Sequence, residues 1–188
     1  MKRHLLLLVA LAVACGTSGT TPPKADITDS TAPDQTMVKM KTYLVRNGIR
    51  TSLVEADTAY INQRTHLADL VGLKVTFFDS TSGRVISVVT SQSGQYDLER
   101  QSLDARGNVV AVTSPEGKIL KTEHLVYDKV QDRIHSDTAF TVTGPTENVS
   151  GSAFEADPGF KSVLVMHPRA REKLAPAKRK APTRGRGG

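Results

Sequence analysis

Between Lys39 and Met166 the apolar residues alternate with polar ones and do not recur at helical spacing. The run Val71-Gly-Leu73-Lys-Val75-Thr-Phe77 predicts a strand with Val71, Leu73, Val75 and Phe77 on one face. Thr138–Thr143 places Phe140 and Val142 together, and Phe154 pairs with Ala156 in the same way. Arg84–Thr90 and Asn108–Thr113 are rich in β-branched residues without declaring an inner face. Turn chemistry separates these runs: Asp79-Ser-Thr-Ser-Gly83, Asp104-Ala-Arg-Gly-Asn108 and Ser114-Pro-Glu-Gly-Lys118 each offer a glycine for positive φ. Strands of about five to eight residues, at roughly eight- to twelve-residue spacing, predict an all-β sandwich, roll or barrel.

A faint refrain overlies the alternation. Short β-type segments end in Asp at Asp57, Asp97, Asp128 and Asp157, in steps of 40, 31 and 29 residues. Such spacing suggests one supersecondary unit used several times. An Asp at a strand end ordinarily accepts backbone N–H groups in the following turn, and that is the expectation here. Carboxylates spaced one per unit do not form an acid/base pair. His66, His124, His135 and His167 lack metal-ligand spacing, and no nucleophile elbow is present, so neither an enzyme nor a metal or cofactor site is expected. The chain has no Trp and only 5% aromatic residues. Val, Leu, Ile and a few Phe suit a thin aliphatic groove better than a thick packed centre.

The N-terminus changes the compartment. Lys2, Arg3 and His4 precede ten apolar residues, Leu5–Ala14. That is far short of the roughly 20 needed to span a bilayer and fits the core of a secretory signal peptide over 1–14. The signal closes on Ala12-Val13-Ala14-Cys15, which resembles a bacterial lipobox, and Cys15 is the only cysteine. Acylation of Cys15, and so a membrane anchor, is the expectation. Residues 15–38 read as a flexible linker rich in Thr, Pro and Asp, and 39–167 as the folded domain. The stretch 168–188 reads as a disordered basic tail. From Arg169 onward it holds eight Lys or Arg and one Glu, so with the whole chain at +6 the remainder stands at −1. No aromatic residue interleaves with these cations, and an exported chain rarely meets nucleic acid, so none is expected as a partner.

Six segments in order then resemble one family. They are Gly72-Leu-Lys-Val75-x-Phe77 with its Asp79–Gly83 turn, Gly94-x-Tyr96-Asp97, and Gly107-Asn108-Val109-x-Ala111-Val112. Leu120-x-Thr122-Glu123-x-Leu125-x-Tyr127-Asp128, Ile134-x-Ser136-Asp137 and Val149-x-Gly151-x-x-Phe154-x-Ala156-Asp157 complete the set. Together they are similar to the LptC family of lipopolysaccharide export. The resemblance implies a single antiparallel, twisted open β-jellyroll with a V-shaped groove holding lipopolysaccharide acyl chains. Val71, Leu73, Val75, Phe77, Phe140, Val142, Phe154 and Ala156 are the expected groove residues. It further implies a periplasmic protein at the inner membrane that receives lipopolysaccharide from an LptB/LptF/LptG-type ABC transporter and passes it to an LptA-like partner. Familiar members begin with a transmembrane helix, whereas this chain has a signal and a lipobox. The alternative is an envelope adaptor lipoprotein whose basic tail grips anionic lipid or polysaccharide.

Overall fold

A computed structural model describes residues 32–173, all within the second of two compact units, Thr31–Gly188. The expected signal peptide, Cys15 and most of the basic tail lie outside the described residues.

Ten antiparallel strands form one sheet: β1 (Gln35–Arg46), β2 (Ile49–Asn62), β3 (Leu67–Phe78), β4 (Val85–Asp97), β5 (Ser102–Thr113), β6 (Ile119–Asp128), β7 (Arg133–Ser136), β8 (Phe140–Thr143), β9 (Glu147–Ala156) and β10 (Val163–Lys173). Each strand up to β6 pairs with the next, so hairpins build the sheet in chain order. β7 and β8 then share one side of β6 and both pair with β9. Among the described residues β1 and β10 are the two free edges, and no ladder joins them. The expected all-β jellyroll architecture is what the chain adopts.

Two boundaries differ from the sequence reading. The linker was expected to run to residue 38, but β1 starts at Gln35, and Gln35, Thr36 and Met37 pair with Ile61, Tyr60 and Ala59. Its side chains are nearly all exposed, so the strand lacks the amphipathic alternation that marks a buried one. The basic tail was expected to be unstructured from residue 168, yet β10 runs on to Lys173, with Arg171 and Lys173 opposite Val149 and Glu147. Ladder pairing uses backbone groups alone, so a basic edge strand costs the sheet little.

The long strands share a second feature. Burial in β3 falls on Ala68 and Leu70, then shifts by one residue to Leu73, Val75 and Phe77. Gly72, at φ +64°, absorbs the odd step. In β6 the buried set passes from Leu120 and Thr122 to Leu125 and Tyr127, and in β2 from Val54 and Ala56 to Ala59. The β4–β5 ladder slips between Thr90 and Ser93, and the β5–β6 ladder between Arg106 and Val109. These reversals lie at one level across the sheet, because Thr58 pairs with Val71 and Val71 with Ser93. Each strand thereby contributes to two walls. Phe77 and Tyr127 meet edge-on at 4.8 Å although β3 and β6 are not ladder neighbours, so the walls close on a shared core.

Candidate functional site: the apolar interior

The core is a single cluster of aliphatic and small side chains with a few rings. Leu73, Val75 and Phe77 sit in it side by side, as alternation along β3 demands. Phe140, Phe154 and Ala156 join them from β8 and β9, all at most 3% exposed, and Val142 packs half-buried against the cluster. Val71 is the exception and a correction. The left-handed turn at Gly72 sends it to the outer face, where it is 47% exposed. An alternating string in the sequence conceals a reversal when the turning residue is itself a glycine.

Glycines let the rings approach the opposing backbone. A Cβ on Gly151 would stand 2.8 Å from the Phe140 ring, and one on Gly94 would stand 2.5 Å from a Leu73 methyl. Phe140 and Phe154 pack edge to face at 4.9 Å, and Phe160 extends the line with its centroid 6.3 Å from that of Phe154. The trough expected from the resemblance is therefore filled by the protein's own side chains. A cavity of about 90 Å³ remains beside Leu120, Phe140, Val142, Val149, Phe160 and Val165, and more open clefts of about 560 Å³ and 350 Å³ border Val109 with Phe140 and Phe77 with Ile86.

Several polar side chains are buried with the core, among them Ser52, Ser87, Ser91, Thr122 and Ser136. Ser52 and Ser87 are fully buried at the end nearest the β9–β10 turn. The Ser87 hydroxyl donates to the Pro158 carbonyl at 2.5 Å, whereas Ser52 Oγ has no partner. At the same end Arg46, the last residue of β1, pairs with Asp132 at 3.0 Å and donates to the Lys129 carbonyl, tying two distant hairpins. At the β7–β8 break Thr122 Oγ1 lies 2.8 Å from Thr138 Oγ1, 3.3 Å from Ser136 Oγ and 3.1 Å from the Ala139 carbonyl.

Beside that knot, His124 places Nδ1 3.0 Å from Asp137 and Nε2 3.1 Å from Asp104. Burial works against a charged ring, but the two carboxylates outweigh it and raise the imidazole above its ordinary value. No sequence pattern marks this bridge, because its three members come from β5, β6 and the β7–β8 break. The refrain resolves into turn closure: Asp97, Asp128 and Asp157 each accept two backbone N–H groups from the residues that follow. Asp57 departs from this and lies mid-strand, paired with Lys39.

No curated protein sequence matches the chain. Among solved structures it is similar to LptH, the LptA homologous periplasmic component of the lipopolysaccharide transport device from Pseudomonas aeruginosa. That similarity stands at 15% identity and a TM-score of 0.47, over 66% of this chain and 94% of the other. The model of the family described as "Lipopolysaccharide-assembly, LptC-related" matches residues 4–163. With most of its length so matched, the chain belongs to the LptC-related family of lipopolysaccharide assembly.

Proposed function

We infer that this protein carries lipopolysaccharide through the periplasm, its apolar interior taking the acyl chains while the sugars stay in water. Keeping hydrocarbon out of water is favourable by about 25 cal/mol per Å², which is the work such a carrier performs. The observation that carries the reading is the pair of unjoined edges around a largely apolar interior. With no ladder between β1 and β10, the two walls part without loss of ladder hydrogen bonds, and the opening costs core side-chain contact together with the Arg46 ties to Asp132 and the Lys129 carbonyl. Acyl chains replace the core contact in kind.

In this reading the chain is held at the inner membrane through acylated Cys15. It receives its cargo from an LptB/LptF/LptG-type ABC transporter and delivers it to an LptA-like protein. The exposed edge strands supply the backbone groups through which a neighbouring β-domain adds. The test is photocrosslinking with benzoylphenylalanine at Phe77, Phe140 and Phe154, with the outer-face position Val71 as control. Lipopolysaccharide is expected at the three interior positions and not at Val71. Capture confined to Val71 would make the β domain a scaffold and not a carrier.

A further inference from the structure

We propose that the β9–β10 turn is a plug whose side chain, Phe160, occupies the place of the first acyl chain and gates entry to the interior. The proposal rests on the carrier reading above.

Phe160 is presented by a turn, not by a strand, yet it is 4% exposed and belongs to the core cluster. Its backbone sits at φ +52°, a region that a bulky side chain adopts only when its surroundings force it there. The turn is closed locally. The Asp157 carboxylate accepts from Gly159 N at 3.0 Å and Ser162 N at 2.6 Å, and Phe160 N donates to the Asp157 carbonyl at 2.9 Å. The Ser87 hydroxyl, bonded to Pro158 O, is the hydrogen bond that fastens the turn to the wall of β4.

The ring ends the line Phe140–Phe154–Phe160 and borders the 90 Å³ cavity. That cavity is bounded outward by Lys118, Gly144 and Pro145, which belong to the β5–β6 turn and the β8–β9 connection. Hydrocarbon entering between those loops runs against Phe160, which lines the same cavity with Val142 and Val149. Every other ring of the core hangs on a strand that loses ladder bonds if it moves. Phe160 leaves by rotation of a six-residue turn, relieving its backbone strain as it goes. A mobile apolar residue in that position keeps the empty interior dry and yields to an apolar chain.

The test uses the full-length protein and two probes, cis-parinaric acid as a bare acyl chain and lipopolysaccharide as its competitor. Phe160→Gly keeps the turn, since glycine accepts positive φ, and removes only the plug. Ser87→Ala keeps the plug and frees the turn. Stopped-flow fluorescence is expected to show parinaric acid entering Phe160→Gly at least about fivefold faster than wild type and Ser87→Ala about twofold faster. Entry rates equal to or below wild type in both variants overturn the plug, as does failure of parinaric acid to enter any of the three proteins. Faster entry that lipopolysaccharide does not compete away upholds the plug and removes lipopolysaccharide as the cargo.

Discussion

The carboxylate of Asp57 in β2 lies directly over Gly72 in β3, where a Cβ on the glycine would displace it. Gln92 covers Gly107 in the same way, with its Oε1 2.7 Å from where a Cβ would stand. The reversals in neighbouring strands are thus interlocked, side chain over bare backbone. Gly72 is required for its φ of +64°, while the exposed Asp57 carboxylate above it has room to swing aside.

Gly72→Ala is therefore expected to lower stability by about 1–3 kcal/mol, read as a drop in the urea midpoint. Adding Asp57→Ala removes the collision but not the dihedral strain, so the double variant should recover only part of the loss. Full recovery would show that the backbone conformation carries no cost.

Phe154 is wholly buried between Phe140 and Phe160. Truncation to Ala should destabilise the domain by about 3–5 kcal/mol. The same change should enlarge the cavity beside Phe140 and let it bind small apolar molecules such as benzene, seen as a ligand-dependent rise in melting temperature.

The His124 bridge sets a pH dependence. Both ring nitrogens face carboxylates, so only the doubly protonated ring donates to Asp104 and Asp137 together. Arg106 shares Asp104, and His135 acts on Asp137 from β7. Asp137 is correspondingly lowered by its hydrogen bond with His124. Because the folded imidazole titrates above its unfolded value, its contribution is complete below about pH 6.5 and fades as pH rises through the folded value. The Asp137 contribution has the opposite sense and is lost only in acid. Melting temperature should fall as pH rises from about 6.5 toward 8, and His124→Asn should flatten that slope. A slope unchanged in the variant would place its source elsewhere.

Arg46 joins the end of β1 to the β6–β7 turn, but Arg46 and Asp132 are both more than a third exposed. Solvent screening limits such a pair to about 0–1 kcal/mol. Arg46→Ala should leave the urea midpoint nearly in place while raising amide exchange in the turn around Lys129, whose carbonyl loses its donor.

Strands with one buried wall were legible because burial imposes alternation, as in Leu73–Phe77 and Phe154–Ala156. β1 was not, since an edge strand exposed on both faces carries no such pattern. Arg171 and Lys173 read as tail because their pairing resides in the backbone. Val71 was assigned to the wrong wall because a glycine mid-strand resembles any other polar interruption until its dihedral is known. His124 stayed hidden because Asp104 and Asp137 are 20 and 13 residues away, brought together by the β5–β6 register and the break after β7.

The aligned reversals bear on how this chain tolerates changes in length. Removal of Thr58 would turn the remainder of β2 inside out, exposing Ala59 and Ile61 while Val54 kept its place. The same deletion in the turn after Asp79 would leave every side chain on its own wall. Insertions and deletions should therefore accumulate at the hairpin tips and be absent from the middle of the strands.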